Sequence, residues 1–183
     1  MSGGVDSSVA AALLAERGHS VLGVTMRLWR EAPLPGDGAA SGVVSDCVEQ
    51  AAAVCRHLGI PHYTVDLRDA FERLVVDHFV AEYARGRTPN PCLQCNRLLK
   101  FGALWRFARS LGAAHLASGH YARVERRADG WHLLTAADSE KDQSYMLYAL
   151  QQKQLASLML PLGALSKDQV RHLARTLDLP ATD

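Results

Sequence analysis

Short apolar segments alternate with longer amphipathic segments along most of this 183-residue chain. Segments 19–26 and 62–67 are short and rich in β-branched or apolar residues, which is typical of buried strands. The longer segments between them carry apolar residues three and four positions apart, and this spacing predicts helices. Strands that alternate with helices of about 10 to 15 residues predict a parallel sheet flanked by helices. The sequence therefore predicts an α/β fold.

The same patterns give the expected bounds of each element. The predicted helices span residues 6–18, 45–59, about 69–85, 97–111 and 166–178, and the predicted strands span 19–26, 62–67 and 114–121. Expected helix caps are Asp6 or Ser7 for the first helix, Ser45 or Asp46 for the second, and a Ser166 and Gln169 capping box for the last. Residues 121–136 predict a β-hairpin around Asp129-Gly130, and Pro33–Gly42 predicts a loop.

Size and composition predict one globular domain over residues 1–183. An apolar fraction of 48% with 21% charged residues is ordinary for such a domain. The longest apolar run, Val9 to Ala15, is far shorter than the ~20 residues of a membrane span, and no basic flank precedes it as in a secretory signal. We therefore expect a cytoplasmic protein without a membrane partner.

Charge is distributed unevenly along the chain. Residues 83–124 contain no Asp or Glu. Their cations are Arg85, Arg87, Arg97, Lys100, Arg106, Arg109 and Arg123. This stretch is either a surface that faces phosphates or a solvated basic face whose acidic partners come from elsewhere in the fold.

A glycine-rich segment, SGGVDSS at Ser2–Ser8, precedes the first predicted helix. Unpaired N–H groups at a helix N-terminus form an anion site, and phosphate is the natural ligand. Gly3 and Gly4 allow close approach and positive φ, while the serines add hydroxyl donors. The segment matches neither the Walker loop nor the dinucleotide fingerprint. Since it has no lysine, we expect Mg²⁺ to supply positive charge, with Asp6 as a ligand. The alternative is a purely structural turn.

Four cysteines occur, at 47, 55, 92 and 95. Cys92 and Cys95 are expected on a Pro-rich loop before a helix, as half of a zinc site, part of an iron–sulfur site or a redox pair. Cys55 lies on the apolar side of its helix and is expected to be buried. A thiol at a helix start close to Arg97 would have a lowered pKa, which favours Cys95 as a nucleophile over an incidental surface thiol.

Four ordered motifs carry a family resemblance. SGGVDSS resembles the pyrophosphate-binding loop of the ATP pyrophosphatases. Together with GRTPNPCLQCN and KFG at 86–102, SGHYAR at 118–123 and KDQSYML at 141–147, it resembles the bacterial tRNA-specific 2-thiouridylase family over almost the whole chain. The resemblance implies a Rossmann-like domain of the adenine nucleotide alpha-hydrolase type, ATP and Mg²⁺ as cofactors, tRNA as substrate and a sulfur-donor protein that relays a persulfide.

The resemblance also implies the site residues. ATP is expected on Met1, Ser2, Gly3, Gly4, Val5, Asp6, Ser7, Met26 and Gly119. The target base is expected at Asn90, Pro91 and Cys92, and other tRNA contacts at His120, Lys141, Asp142 and Gln143. Cys95 matches the catalytic cysteine, with Asp6 and Cys92 as further catalytic candidates. From the residues alone, His120 is an ordinary loop histidine and residues 141–143 are a helix-start cap.

Two departures from the family pattern matter. Many members have Asp where this chain has Cys92, so Cys92 either takes over that role or joins Cys95 as a ligand pair, for instance to an iron–sulfur cluster. The second departure is that the chain stops before the family's second, persulfide-bearing cysteine. In addition, such a loop normally follows a buried strand, and no strand precedes the SGGVDSS segment. We therefore expect a domain truncated at both ends that binds ATP but does not complete thiolation.

The implied reaction has two steps. O2 of the wobble uridine is adenylated, and sulfur from a cysteine persulfide then replaces it at C2, with Cys95 resolving the persulfide as a disulfide. Two alternatives keep the phosphate site. One is an adenylating amidotransferase or synthetase that acts on a small carboxylate, and the other is a nucleotide-binding module without chemistry.

Overall fold

The computed structural model describes residues 1–29 and 42–181, without the side chains of residues 42–46. Its helices are α1 (Val5–Glu16), α2 (Gly42–His57), α3 (Arg68–Phe71), α4 (Asp77–Ala84), α5 (Pro91–Gln94), α6 (Trp105–Ser110), α7 (Gln152–Leu155) and α8 (Lys167–Thr176), with a 3₁₀ turn at Ser144–Leu147. The predicted loop at 33–42 falls outside the described residues, apart from Gly42 at the start of α2.

The strands are β1 (Gly23–Arg27), β2 (His62–Asp66), β3 (Leu116–Ala117), β4 (Ala122–Arg127), β5 (Gly130–Thr135) and β6 (Leu158–Met159). β1 pairs with β2 in parallel and β3 pairs with β6 in parallel, whereas β4 and β5 form an antiparallel hairpin. The α/β class, the parallel pairing and the hairpin are confirmed. Within the described residues the parallel strands form two separate pairs. β6 was not predicted, because two residues are too short to show an alternating pattern.

Helix ends depart from expectation at two of three predicted caps. α1 begins at Val5 with Gly4 as its N-cap and no side-chain cap, so Asp6 lies inside the first turn. α2 begins at Gly42 and already includes positions 45 and 46, so the caps predicted there are wrong. The capping box of α8 is confirmed, since the Ser166 side chain accepts the Gln169 N–H and the Gln169 side chain accepts that of Ser166.

Two long helices each contain a π-helical segment in the middle. α3 and α4 are joined by the π-helical segment Glu72–Val76, and α5 and α6 by the π-helical segment Cys95–Leu104. The second helix begins at Pro91, six residues earlier than predicted. Its N-cap is Asn90, whose Oδ1 accepts the Cys92 N–H at 3.0 Å. The prediction of a loop at Cys92 and Cys95 is therefore wrong, because Asn90 and Pro91 start the helix before them.

Three apolar clusters hold the molecule together. The first packs α1 and α8 around Tyr121 and Leu162, the second lies under the hairpin around Phe101 and Leu147, and the third joins the two π-containing helices through Phe71, Val75 and Leu99. The prediction that Cys55 is buried is confirmed. None of the helices in residues 1–29 and 42–181 has both the length and the apolar character that a membrane span requires.

Candidate active site

The segment Ser2–Ser8 folds back on itself at the start of α1. The Ser2 N–H donates to Ser7 Oγ at 3.2 Å, and the two hydroxyl oxygens are 3.1 Å apart. Ser7 Oγ and Ser8 Oγ both donate to the Gly4 carbonyl, at 3.1 and 2.9 Å. Ser8 is fully buried, so its expected role as a donor to a ligand is wrong. Ser2 and Ser7 remain at the accessible side of the loop, with Met1 before them and the Val5 side chain in the core.

Gly3 has the positive φ that the sequence predicted, +82°, whereas Gly4 has φ −75° and an extended backbone that any residue adopts. A Cβ on Gly3 would lie 2.6 Å from the Cβ of Gln50 and 3.1 Å from the Ala51 nitrogen. Glycine is therefore required at position 3 by both the backbone angle and the packing of α2 on the loop.

Gly119 lies directly on the first turn of α1. A Cβ at this position would lie 2.9 Å from the carbonyl carbon of Asp6 and 3.0 Å from the Ser7 nitrogen. Residues 2–7 and the SGHY segment, two motifs more than 100 residues apart in sequence, are thus in contact. The resemblance assigns both to ATP, and the fold brings them together.

Asp6 connects this first turn to two residues that sequence reasoning missed. Its Oδ1 accepts a hydrogen bond from the Tyr121 hydroxyl at 2.8 Å and from Lys167 Nζ at 2.7 Å. Burial, and then the hydrogen bond to Asp6, raise the pKa of Tyr121, so the phenol stays protonated as a donor. The loop contains no lysine of its own, but the first residue of α8 supplies one. Only the fold reveals this, because 161 residues separate the pair.

Gln143 fixes the 141–143 motif onto Tyr121. The Tyr121 N–H donates to Gln143 Oε1 at 3.1 Å, and the Gln143 N–H donates to the Tyr121 carbonyl at 2.8 Å. Asp142 Oδ1 accepts the Ala136 N–H at 2.8 Å and Asp142 Oδ2 accepts the Ser144 hydroxyl at 2.7 Å. Burial works to raise the pKa of Asp142, but these hydrogen bonds outweigh it and lower the pKa. The side chains of Asp142 and Gln143 are thus hydrogen-bonded within the protein, whereas Lys141 is exposed to solvent.

His120 follows Gly119 and is neutral at physiological pH. Its Nδ1 lies 2.6 Å from Ser118 Oγ, and its ring centroid lies 6.2 Å from that of Phe101. Burial, and to a lesser extent the charge of Lys100, lower the pKa of His120 to about 4. Any contact of this side chain with RNA is therefore a hydrogen bond or a ring contact rather than an ion pair.

Cys95 and Cys92 differ in their surroundings. Cys92 is exposed, whereas Cys95 is half-buried against the third cluster, on which Met26 of β1 also packs. Burial raises the pKa of the Cys95 thiol, and the charge of Lys100 partly opposes this. The expected lowered pKa is therefore wrong. Because the helix starts at Pro91, Cys95 is one turn inside it and faces the apolar cluster, while Arg97 is exposed.

Lys100 is a further residue whose place sequence reasoning missed. Its charge works to lower the pKa of Cys95 and, after the larger effect of burial, lowers the pKa of His120 and of the Met1 amino group, the latter to about 6. The lysine charge is therefore near enough to act on the thiol, on the SGHY segment and on the chain's amino group. No hydrogen bond among the described residues joins Cys95 to the loop directly, but the charge of Lys100 acts on both Cys95 and the Met1 amino group.

Replacing Lys100 by methionine is expected to raise the pKa of Cys95 further, because the opposing cation is lost while the burial stays. Only the thiolate is alkylated, so iodoacetamide should label Cys95 several-fold more slowly at pH 8 in this variant. Mass spectrometry of the Cys95 peptide over a pH series measures the effect. Arg97→Met is the matched control and should leave the rate unchanged; equal slowing in both variants would contradict the assignment.

The described residues do not fit a zinc or iron–sulfur site at the Cys92 and Cys95 pair. Zinc and clusters take about four protein ligands. In the described part of the chain no group of three or more His, Cys, Asp or Glu side chains could hold a metal ion. All four cysteines are free thiols, with Cys55 buried and Cys47 exposed elsewhere.

Magnesium fits better at the loop. Mg²⁺ usually takes one or two carboxylates together with waters and substrate phosphates. The hydrogen bonds of Asp6 within the described residues use Oδ1, which leaves Oδ2 for a ligand. The carboxylate is 37% exposed, so a hydrated ion can reach it.

The acid-free stretch divides into paired and unpaired cations. Arg85 and Arg87 form ion pairs with Glu82, at 3.2 and 2.7 Å, and Arg123 donates to the Thr135 carbonyl. Arg109 lies over the Trp105 ring. Among the described residues, Arg97, Lys100 and Arg106 have none of these partners, neither a carboxylate nor a carbonyl nor a ring. If residues 83–124 include a surface that faces phosphates, that surface therefore lies on the helix that carries the cysteines.

Comparisons with known proteins show which sequences this chain is similar to. The sequence model of the tRNA methyl transferase HUP domain family matches residues 1–183. A tRNA-specific 2-thiouridylase MnmA from Geobacter metallireducens is 50% identical over 183 residues, which is 98% of this chain and 50% of the relative. One from Carboxydothermus hydrogenoformans is 49% identical over 186 residues, 100% of this chain and 51% of the relative. The chain thus spans about half the length of the curated relatives it matches.

Solved structures support the fold alone. NMN synthetase from Francisella tularensis has a TM-score of 0.52 at 20% identity, over 98% of this chain and 60% of that chain. A predicted subunit of tRNA methyltransferase from Methanocaldococcus jannaschii has a TM-score of 0.53 at 17% identity, over 94% of this chain and 72% of that chain. The predicted Rossmann-like α/β class is confirmed.

Proposed function

The chain belongs to the tRNA methyl transferase HUP domain family, and from this we propose that it forms the ATP-binding domain, over residues 1–183, of a cytoplasmic enzyme that makes 2-thiouridine in tRNA. One observation supports the proposal most strongly. The loop at residues 2–7, the segment at 118–121 and the motif at 141–143 meet around the Asp6 and Tyr121 pair. The resemblance assigns these motifs to ATP and tRNA, and a common location is what a reaction between the two requires.

The proposed ATP site lies at the start of α1. The backbone of residues 2–7 and the Ser2 and Ser7 hydroxyls hold the phosphates at the positive end of the helix dipole. Lys167 Nζ adds a cation beside Asp6. Bound next to Asp6, Mg²⁺ would neutralise charge on the phosphates. Met26 and Gly119 border the rest of the nucleotide.

The proposed chemistry joins O2 of the target uridine to the α-phosphate of ATP, breaking its bond to the β-phosphate and releasing pyrophosphate. The terminal sulfur of a cysteine persulfide then attacks C2, and AMP leaves. Cys95 attacks the inner sulfur, which forms a disulfide and leaves sulfur on the base. The persulfide cysteine comes from outside the described residues and is loaded by a sulfur-donor protein. Asn90, Pro91 and Cys92 border the base, and Lys141 contacts the tRNA backbone.

Before Cys95 can attack, its thiol must lose a proton. Burial keeps it protonated at neutral pH in the resting protein, and Lys100 is the nearby cation that favours the thiolate. This arrangement keeps the thiol unreactive until the site is assembled, which limits its oxidation.

ATP–pyrophosphate exchange tests the proposal. We expect exchange with tRNA that carries an unmodified wobble uridine, and none with the same tRNA changed to cytidine at that position. An amidotransferase or synthetase would instead exchange with a small carboxylic acid in the absence of RNA, and a module without chemistry would bind ATP without exchange. Either of those results would overturn the proposal.

A further inference from the structure

A pocket of about 200 Å³ opens beside the helix that carries the cysteines, on a different face from the thiols. Its walls come from that helix, from α4, and from the 3₁₀ turn with the segment that follows it. Polar and aromatic lining residues include His78, Asn90, Gln94, Arg97 and Tyr148. Neither Cys92 nor Cys95 lines it.

The spacing along the helix explains the separation. Positions 90, 93, 94 and 97 are three or four residues apart and share one face. Cys95 faces the opposite way, toward the cluster of Phe71, Val75 and Leu99. A helix with its side chains is about 10–12 Å across, so one base cannot occupy both faces. A base in the pocket is therefore not the base that reacts near Cys95. Asn90 lines the pocket as the N-cap, at the end of the helix where Cys92 also lies.

The chemistry of the pocket suits a nucleobase with its phosphate. Tyr148 is 69% exposed, so its ring is available for stacking. Gln94 Nε2 lies 3.1 Å from His78 Nε2, which holds an amide and an imidazole at the wall with polar atoms left for a base edge. Arg97 has no acidic partner among the described residues and adds a cation for phosphate. Stacking rings, hydrogen-bonding edges and arginine are the features by which proteins bind unpaired RNA bases.

We propose that this pocket binds an unpaired tRNA base that neighbours the target uridine, stacked on Tyr148, with its edge at Gln94 and His78 and its phosphate at Arg97. The inference rests on the proposed function. Its consequence is that the enzyme recognises its tRNA partly through a base that it does not modify, and that the strand passes over Asn90 between the two faces.

Binding of an anticodon stem–loop RNA in the presence of ATP and Mg²⁺ tests this. Tyr148→Ala should weaken binding by about fivefold to a hundredfold, the usual effect of losing one stacked base. Its matched control is Tyr83→Ala, since Tyr83 is 67% exposed on α4 but stacks on Phe79 outside the pocket. ATP binding should be unchanged in both variants.

An RNA with an abasic nucleotide beside the target position, combined with Tyr148→Ala, completes a double-mutant cycle. It should weaken binding to the wild type but have little further effect on Tyr148→Ala. If an abasic target position shows this coupling instead, the pocket holds the reacting base and the inference is wrong while the proposed function stands. If abasic flanking nucleotides do not weaken RNA binding to the wild type, the inference is also wrong. Absence of any RNA binding or tRNA-dependent exchange in the wild type would overturn both.

Discussion

Replacing Gly119 by alanine is expected to lower tRNA-dependent ATP–pyrophosphate exchange by about 100-fold, the usual cost of a displacement near 1 Å at a reacting site. The new Cβ would lie 2.9 Å from the Asp6 carbonyl carbon and 3.0 Å from the Ser7 nitrogen. These are backbone atoms at the start of a buried helix and cannot swing aside as a side chain would. The loop that holds the phosphates must therefore shift.

Gly102→Ala is the matched control for this variant. A Cβ there would meet only the Arg97 carbonyl oxygen, at 3.3 Å, and the helix backbone gains propensity from alanine. We expect its exchange rate to stay within about twofold of the wild type, by the usual small effect of substitutions away from special features. Thermal unfolding of both variants shows whether a loss of exchange comes from displacement of the site or from unfolding of the protein. Normal exchange in folded Gly119→Ala would show that this contact does not position the loop.

Changing Asp6 to Asn is expected to lower exchange by about 10²- to 10³-fold, a typical loss when one preorganised charge is removed from a reacting site. The amide still accepts the Tyr121 hydrogen bond but no longer neutralises Lys167 or binds a divalent cation. The ion pair is partly exposed, so its loss should reduce stability by no more than about 1 kcal/mol. The apparent affinity for Mg²⁺ should fall together with the rate.

Asp168→Asn is the control for Asp6→Asn. Asp168 neighbours Lys167 in sequence, and its side chain is 96% exposed, so the same change of charge near α8 should leave exchange and Mg²⁺ dependence unaltered. A folded Asp6→Asn protein with an unaltered metal dependence would indicate that Asp6 serves only to anchor Lys167.

Local signals in the sequence predict much of the fold. Helical spacing, the Ser166 and Gln169 capping box and the Asp129-Gly130 turn are short-range features, and the structure confirms each of them. The local geometry of the SGGVDSS motif is predictable only in part: Gly3 has the expected positive φ, but Gly4 does not, and neither Asp6 nor Ser7 caps the helix.

Properties that depend on packing between distant segments could not be predicted in the same way. Lys167 reaches Asp6 only because α8 packs on α1. The pKa of Cys95 depends on how deeply the thiol is buried, which the local pattern of a helix start and a nearby arginine does not reveal. The two-residue strand β6 exists through its pairing with β3, not through its own sequence.

Tyr121 uses its backbone to hold Gln143 and its hydroxyl to hold Asp6. A single rigid aromatic residue thus connects the segment proposed to meet RNA with the turn proposed to meet the nucleotide. We expect movement of either segment to be transmitted to the other, because the same residue is bonded at its backbone to Gln143 and at its hydroxyl to Asp6. Under the proposed function, we therefore expect occupancy by one substrate to preorganise the site for the second, which would give a binding order without any domain motion.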